Sequence, residues 1–391
     1  ALAVGCFNVS RIFVVGTDEC TYYTKSMTIH SEKFGGIDGR CVSVVLDDHD
    51  VTFGSAEKVQ EAFKEIIEEY RPQCVFLVTT CVIEIIGDDF DAISEGLSKL
   101  YGIPVLPVHT EHFKCEDHLP GLERTITVCA EMMKSCDCEN SVNLLGQRMG
   151  DFATTELYAM LQKAGVKIGL QLPCGCSVDD IKNAAAAKVN IVVNDIALPL
   201  AQKMQEKFGI PYVYFNKFVI PEKIYEAYKN LFVYLDLELP GELEGLYQNA
   251  REKIEKNKGE LEGITYIYGN TPYAVFEMNC FLSSLGMVPQ VIQTNRYTEA
   301  DEPYAKEILQ YTDPYVCKAA NIAPLQYVYD VLSPYLYLGH EFGNRLRQKG
   351  IAIVDSDRAS GMLGFEVTGY LLQQLVKSVR EAKEYRKELG L

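Results

Sequence analysis

Short apolar runs alternate with amphipathic stretches along the whole chain, and this alternation limits the fold more than any other feature. Apolar runs at 11–15, 74–78 and 105–108 are each followed by a stretch with helical spacing. In residues 55–70 the apolar side chains recur every three or four positions, with Glu and Lys on the opposite face. This pattern is typical of parallel sheets built from βαβ units. The sequence therefore predicts an α/β fold.

The length and two polar breaks predict the domain organisation. A chain of 391 residues is too long for one ordinary core and suits two or three domains. Polar residues interrupt the pattern near 129–142, and a charged run at 255–263 is interpreted as a hinge. We predict three Rossmann-like domains with parallel sheets around a central cleft. They cover residues 1–139, 140–259 and 260–360.

Charge and hydropathy exclude several classes of protein. The net charge of −17 argues against a nucleic-acid surface, which needs clustered Lys and Arg. No apolar run reaches the roughly 18 residues that span a bilayer, and no signal-peptide pattern begins the sequence. We therefore expect no nucleic-acid or membrane partner and a cytoplasmic location. The 13 cysteines are then expected to be free thiols or metal ligands.

Cys20 and Cys81 have the most specific sequence settings. Each follows an apolar strand, and in an open parallel sheet such residues lie at the carboxyl edge, where ligands collect. Thiolates at that edge are well placed to hold iron. The alternative is that each cysteine is a small buried hydrophobe. We predict that the two sulphur atoms lie close together although 61 positions separate them.

Other cysteines and histidines are weaker candidates. Cys174 and Cys176 flank a glycine after the strand at 168–172, where they could bind metal or line the cleft, or could be incidental thiols in a tight turn. Cys136 and Cys138 repeat this spacing in a polar linker and are interpreted as idle. Three histidines follow the strand at 105–108 and could relay protons, ligate metal or make structural hydrogen bonds. They are His109, His112 and His118.

Five sequence elements in order resemble the nitrogenase component 1 family. This family includes dinitrogen-reducing subunits, cofactor-assembly scaffolds and nitrogenase-like reductases, and the resemblance covers nearly the whole chain. One element has the form Cys-x-x-Tyr, and the next has the form Asp-x-x-Phe-Gly. The third is a cysteine, five intervening residues and then Gly-Asp-Asp. The elements stand at 20–23, 50–54, 81–89, 108–113 and 142–146.

The resemblance implies an iron-sulphur cluster, 4Fe-4S or related, held by Cys20 and Cys81 at an interface with a homologous subunit. The oligomer could be homomeric or heteromeric. Tyr23 and Gly87 are expected to contribute to cofactor binding beside the two cysteines. A further ligand is expected just upstream of Ala1 or from the partner, and Cys6 is interpreted as core rather than as a substitute.

The resemblance also bears on electron supply and on the end of the chain. The sequence has no phosphate-binding Gly-x-x-x-x-Gly-Lys-Ser/Thr loop, so any ATP dependence is expected in a separate iron-sulphur reductase that docks near the cluster. The final helix, at 361–388, is expected to return and complete the first domain, as it does in the family.

Departures from the family pattern narrow the function. Val193 or Asn194 stands where the iron-molybdenum cofactor has its cysteine ligand, and residues 354–364 contain no histidine for the second ligand. We therefore expect no conventional iron-molybdenum cofactor and no dinitrogenase α-subunit. The resemblance then implies an oxidoreductase subunit that accepts electrons through the interface cluster and reduces a ligand in the cleft. The alternative is a non-catalytic scaffold for assembly of a nitrogenase-type metal cluster.

Overall fold

The computed structural model describes residues 10–29, 41–115, 119–148, 150–173, 175–216, 218–269, 271, 273–318 and 322–391. Over these residues the chain forms three parallel sheets with intervening helices, which confirms the predicted α/β class. No helix among the described residues is both long and apolar enough to cross a bilayer.

The first sheet has the strand order β2-β1-β3-β4, and all of its strand pairs are parallel. All six residues of its central strand β3 are buried, as expected for a parallel strand covered on both faces. Its elements are β1 (Ser10–Gly16), α1 (Asp18–Ile29), β2 (Cys41–Val45), α2 (Asp48–Phe53), α3 (Ala56–Tyr70), β3 (Cys74–Thr79), α4 (Cys81–Ile86), α5 (Phe90–Tyr101), β4 (Val105–Val108) and α6 (Leu119–Thr127).

The second sheet has the order β6-β5-β7-β8, again with parallel pairs. Its two central strands are joined by a buried amide pair, because Asn143 Nδ2 donates to Asn190 Oδ1 over 2.8 Å. The elements of this region are β5 (Glu139–Gln147), α7 (Glu156–Lys163), β6 (Lys167–Pro173), α8 (Val178–Lys182), β7 (Ala187–Val192), α9 (Leu198–Phe208), β8 (Tyr212–Tyr214) and α10 (Pro221–Leu235).

The third sheet has five strands in the order β11-β10-β9-β12-β13. A crossover on each side of β9 builds it outward in both directions, as in doubly wound α/β folds. Its elements are α11 (Leu243–Leu261), β9 (Thr265–Tyr268), α12 (Val275–Ser284), β10 (Val288–Gln293), α13 (Glu302–Ile308), β11 (Tyr315–Cys317), α14 (Ile322–Leu332), β12 (Leu336–Leu338), α15 (Gly343–Arg347), β13 (Ala352–Val354) and α16 (Glu366–Leu389).

The described residues pack as two compact units. The first unit takes residues within 1–149, 165–216 and 233–237, and the second takes those within 150–164, 217–232 and 238–391. In the first unit, one hydrophobic core joins the first two sheets, with Phe76 of β3, Leu145 of β5 and Ile126 of α6 in the same cluster. The predicted domain limits after 139 and 259, and the central cleft, stay predictions.

The C-terminal helix differs from the expectation that it completes the first domain. The apolar face of α16, with Val367, Leu371 and Leu375, packs in one core with Tyr266 and Leu336 of the third sheet. Helix α16 therefore belongs to the second unit. Its side chains at spacings of four form a continuous stripe, which any exposed sheet face could bury, so the sequence did not identify its partner.

The charged run at 255–263 was wrongly interpreted as a hinge. Helix α11 continues through most of this run, to Leu261, and the turn follows at Glu262 and Gly263. Glu and Lys are strong helix formers, so the run extends a helix with a polar outer face. Ser55 directly precedes α3, but its side chain makes no cap hydrogen bond.

Candidate functional site: a thiol pair at the edge of the first sheet

The structure brings Cys20 and Cys81 together at the carboxyl edge of the first sheet. Cys20 lies in the first turn of α1, and Cys81 is the first residue of α4. Their Sγ atoms are 4.0 Å apart, and both side chains are partly buried. The predicted proximity is confirmed. Whether the pair holds iron stays a prediction.

Strand register explains why the two cysteines meet. Strands β1 and β3 are neighbours with Val15 opposite Thr79, so the helices that follow them begin side by side. Gly16 ends β1 against the side chain of Thr80, and a Cβ at Gly16 would lie 2.2 Å from Thr80 Oγ1. Only a residue without a side chain permits this approach. The close contact of the two turns therefore depends on Gly16.

The surroundings of Cys81 favour its neutral thiol when no cation is bound. Burial raises the pKa of the Cys81 thiol, and the neighbouring Cys20 raises it further, because two thiolates at this distance repel each other. A bound metal reverses this balance, since its positive charge favours deprotonated sulphur. The arrangement therefore suits thiols that ionise when metal binds.

The donor set fits an iron-sulphur cluster as one part of a ligand shell. Such clusters are held by about four ligands, mostly thiolates, and this edge supplies two. Beside them, the Thr80 hydroxyl is buried and has no hydrogen-bond partner among the described residues. Hydrogen-bond donors next to cluster sulphur are part of how proteins set cluster potentials. The remaining ligands would have to come from elsewhere, and Cys6 lies outside the described residues.

Tyr23 and Gly87, the other predicted cofactor-binding residues, have simple structural settings. Tyr23 is exposed, and its ring packs edge-on against Tyr22 with centroids 5.6 Å apart. Gly87 ends α4 in the left-handed region at φ 85°, and its N–H donates to the Ile83 carbonyl. Glycine adopts this conformation without strain. A role of either residue in cofactor binding stays a prediction.

The acidic residues of the family elements hold loops in place. Asp88 Oδ2 accepts hydrogen bonds from the backbone N–H (2.8 Å) and the hydroxyl (2.6 Å) of Ser55, which explains why Ser55 does not cap its own helix. Asp89 caps α5 through the Ala92 N–H. Asp50 pairs with Lys58 at 2.6 Å. These contacts join the elements at 50–54 and 81–89 into one framework around the cysteine edge.

Asp47 completes that framework without forming a convincing metal site. Its carboxylate caps α2, and the backbone N–H of Asp50 and the Lys58 ammonium lower its pKa to about 2. His49 lies close enough to Asp47 and Asp50 for the three to share an ion. The Lys58 ammonium already pairs with both carboxylates, so a metal ion would have to compete with it for their oxygens.

A polar network beside α4 has contacts that the sequence did not predict. Glu84 accepts a hydrogen bond from the Glu111 N–H over 2.9 Å and another from the Thr79 hydroxyl. Beside it lies a pocket of about 190 Å³. His109 lines the same pocket, and its Nε2 is 3.2 Å from Asp91 Oδ1, which agrees with a structural hydrogen bond. The side chain of His112, like His118, lies outside the described residues.

Exposed apolar side chains surround the cysteine edge. Phe53 is 77% exposed and Ile85 is 70% exposed, and Tyr22 and Phe113 are also largely exposed. They come from α2, α4, α1 and the loop after β4, and α1 and α4 carry the two thiols. Several exposed large apolar side chains near a site are typical of a protein interface.

Of the second pair of candidate thiols, only Cys176 lies within the described residues, and it does not line an open space. Cys176 is buried in the core that joins the first two sheets, close to Cys74 and Cys129, and Cys174 lies outside the described residues. Val193, which follows the end of β7, is fully buried. Cys176 thus occupies the site of a small hydrophobe. The sequence could not show this, because a strand end can face either a cleft or a neighbouring helix.

Comparison with known proteins gives one consistent result. The pattern of the family described as "Nitrogenase component 1 type Oxidoreductase" matches residues 1–380. The nitrogenase iron-molybdenum cofactor biosynthesis protein NifE of Rippkaea orientalis is 26% identical over 278 residues, which cover 68% of this chain and 58% of the relative. NifE of Clostridium pasteurianum is 32% identical over 176 residues, covering 44% and 38%.

A catalytic relative and a solved structure also match. The nitrogenase molybdenum-iron protein alpha chain of Methanosarcina barkeri is 24% identical over 291 residues, or 70% of this chain and 54% of that one. The structure "Nitrogenase Cp1 at pH 6.5" superposes with a TM-score of 0.82 at 14% identity, covering 99% of this chain and 91% of the other. The chain spans roughly two fifths to three fifths of the length of these curated relatives. The match over residues 1–380 places the chain in the nitrogenase component 1 type oxidoreductase family.

Proposed function

We propose that this chain is a subunit of a scaffold on which a nitrogenase-type metal cluster is assembled, and that Cys20 and Cys81 hold a resident iron-sulphur cluster. The observation that carries the resident site is the 4.0 Å separation of the two Sγ atoms at a sheet edge. The scaffold role is supported by the relatives named as cofactor biosynthesis proteins. It was the alternative in the sequence analysis, and the comparisons favour it over the catalytic reading.

Residues 193–194 support the scaffold role from a second direction. A protein that passes its cluster on needs a site that releases it, and Val193 and Asn194 offer no thiolate there. Val193 is buried and Asn194 accepts a hydrogen bond from the Ile196 N–H, so neither side chain is positioned as a strong metal ligand. The cluster under assembly is then a cargo, distinct from the resident group at Cys20 and Cys81.

At the resident site, the chain supplies ligands and a protected edge. A bound iron-sulphur cluster would supply one-electron transfer between an outside reductase and the cargo. Cys20 and Cys81 would bind it as thiolates, and the buried strands β1 and β3 would exclude water from one side. The Thr80 hydroxyl would donate a hydrogen bond towards it.

The partners in this proposal are a homologous subunit and an ATP-dependent iron-sulphur reductase. The exposed apolar side chains around the thiol pair, such as Phe53 and Ile85, support a subunit interface there. A second subunit also accounts for ligands that this edge lacks. Homomeric and heteromeric pairing both fit. The free thiols and the family assignment support a cytoplasmic location.

A second candidate is the reductase-coupled oxidoreductase, in which a ligand in the inter-domain cleft is reduced in repeated turnover. The match to a molybdenum-iron protein alpha chain favours keeping it. The same resident cluster serves both functions. They differ in whether the cargo leaves the protein or a small molecule is converted.

The test begins with anaerobic purification, iron and sulphide analysis, and electron paramagnetic resonance. We expect stoichiometric iron and sulphide and a signal that changes on reduction. The protein is then mixed with reductase and ATP, once with an apo-acceptor protein and once with candidate small substrates. Transfer of metal to the acceptor without sustained turnover supports the scaffold. Sustained turnover without transfer would replace it by the oxidoreductase, and a protein without iron would remove both.

A further inference from the structure

Helix α4 carries Glu84 as well as Cys81, and the Glu84 side chain ties the helix to the loop after β4. Glu84 Oε1 accepts the Glu111 N–H over 2.9 Å and also accepts the Thr79 hydroxyl. The helix has only six residues, so its own hydrogen bonds fix its direction weakly. Its orientation, and with it the place of the Cys81 sulphur, therefore depends on anchors of this kind.

The loop after β4, which is hydrogen-bonded to Glu84, is itself held by several contacts. The Thr110 N–H donates to Thr79 Oγ1 over 3.2 Å, and Arg124 donates to the Thr110 carbonyl over 2.8 Å. Arg124 also pairs with the Glu111 carboxylate at 2.6 Å. Glu111 has a positive φ of 43°, a conformation that costs a non-glycine residue free energy. The loop is thus a fixed point that holds a strained N–H towards Glu84.

The Glu84 carboxylate is an unusual choice for a purely structural link. Its Oε2 is buried and has no hydrogen-bond partner within the part of the chain that the structure describes. Leaving a buried carboxylate oxygen unpaired is costly. Only Oε1 accepts hydrogen bonds, so Oε1 alone anchors the helix. A neutral side chain of the same shape, with one oxygen acceptor, could provide the same anchor.

We propose that Glu84 is a positioning residue for Cys81, setting the sulphur of Cys81 at the distance from Cys20 that lets both bind one metal centre. Two thiolates that share one tetrahedral metal, whether a single ion or one iron of a cluster, lie about 3.8 Å apart when the bonds are about 2.3 Å. The observed 4.0 Å is close to that value. The inference rests on the proposed function only for the assignment of these two thiols as ligands.

The test uses Cd²⁺ binding by the apo-protein, read from its thiolate absorption, so that it needs neither the cluster nor turnover. Cys136 and Cys138 are exposed and are changed to Ser in every sample to remove competing thiols. In this background Glu84→Ala should weaken Cd²⁺ binding at least tenfold. Glu84→Gln keeps an oxygen acceptor for the Glu111 N–H and should restore affinity to within about threefold of the unaltered residue.

Controls separate positioning from general destabilisation. Cys129→Ala loosens the core of the same unit and should leave Cd²⁺ affinity unchanged, and Glu95→Gln removes an exposed carboxylate elsewhere. Unchanged affinity in Glu84→Ala overturns the proposal, as does equal weakening in Cys129→Ala. If Glu84→Ala fails to fold, Glu84→Leu at similar volume replaces it, with the same tenfold loss expected.

The two proposals can fail independently. Cd²⁺ binding that needs Cys20, Cys81 and Glu84, in a protein that never contains iron, would leave the positioning role intact and remove the proposed function. Normal iron content together with Cd²⁺ affinity that does not depend on residue 84 would leave the proposed function intact and remove the positioning role.

Discussion

Two groups of cysteines in the first unit have the same side chain and opposite surroundings. Cys20 and Cys81 are partly buried at a sheet edge, 4.0 Å apart, beside an unpaired hydroxyl. Cys74, Cys129 and Cys176 are buried in the core between the first two sheets. Burial raises the pKa of Cys74 to about 12 and that of Cys129 well above its usual range.

The difference shows that proximity of thiols alone does not make a metal site. The core thiols also lie near one another, and the charge that each would carry raises the pKa of Cys129. A metal ion there would need to shed water into an apolar core and would find no room for further ligands. At the sheet edge, a partner and solvent can both reach the sulphurs. Access and an incomplete ligand set therefore distinguish the pair proposed to bind metal from the packed thiols.

The largest expected difference between the two groups is in alkylation rate. In an apo-protein with Cys136→Ser and Cys138→Ser, iodoacetamide should modify Cys20 and Cys81 first. Burial raises the pKa of Cys74 to about 12, so almost none of it is thiolate near pH 8, and the thiolate is the reactive form. The edge thiols are also more accessible, and peptide mass spectrometry over time should show that they are modified well before the core thiols. Equal rates would erase the distinction.

Iron content should separate the groups next. Cys81→Ala should lose nearly all bound iron, because one of two ligands from this edge is removed, while Cys176→Ala should keep the unaltered amount. Both proteins are purified anaerobically and assayed for iron, sulphide and circular dichroism. Iron at the unaltered level in a folded Cys81→Ala protein would contradict the ligand role. Loss of iron only in Cys176→Ala would move the site to the core.

How much of this was visible in the sequence differs between the two groups. The strands before Cys20 and Cys81, together with the flanking family elements, were enough to predict both the fold class and the meeting of the two sulphurs. The register between β1 and β3 then brings the two cysteines together, since parallel neighbouring strands have their carboxyl ends at one edge. Cys176 also follows a strand, but it is buried in a core, so the same rule did not distinguish a cleft from a packed site.

The contacts that the sequence did not predict share a physical reason. Glu84 acts through a hydrogen bond to a residue 27 positions away, and Gly16 acts through contact with Thr80, which is 64 positions distant. No periodicity or spacing encodes such long-range contacts. The sheet against which α16 packs could not be predicted for the same reason. An apolar stripe shows that a helix is packed but does not show against which sheet.

Substitutions in the core cysteines should lower the free energy of unfolding more than substitutions in the edge cysteines, which is the reverse of the order expected for iron content. Cys129 is fully buried, and its Sγ lies 3.5 Å from the Thr125 carbonyl oxygen that it faces. Cys129→Ala leaves a small cavity and should lower the free energy of unfolding by about 1–3 kcal/mol. Cys20→Ala in the apo-protein should change it by less than about 0.5 kcal/mol. Urea denaturation followed by circular dichroism measures both, and similar values for the two would mean that the edge is packed as tightly as the core.

The smallest expected difference is in the pH dependence of stability. The folded-state pKa of Cys74 is raised to about 12 by burial, above its value in the unfolded chain. As the pH rises, the unfolded chain therefore loses this proton first. The contribution of the protonated thiol to the free energy of unfolding is fully present below the unfolded-state pKa, and it is lost as the pH rises towards the folded-state pKa. Between pH 9 and 10 the loss for one such thiol is about 1 kcal/mol. Urea unfolding of the unaltered protein and of Cys74→Ala at both pH values should show their stability difference shift by that amount. Cys136→Ala, which removes an exposed thiol, is the matched control and should give parallel curves. Parallel curves for Cys74→Ala as well would show that the core thiol ionises as freely as a surface thiol, and the contrast between core and edge would then rest on ligand access alone.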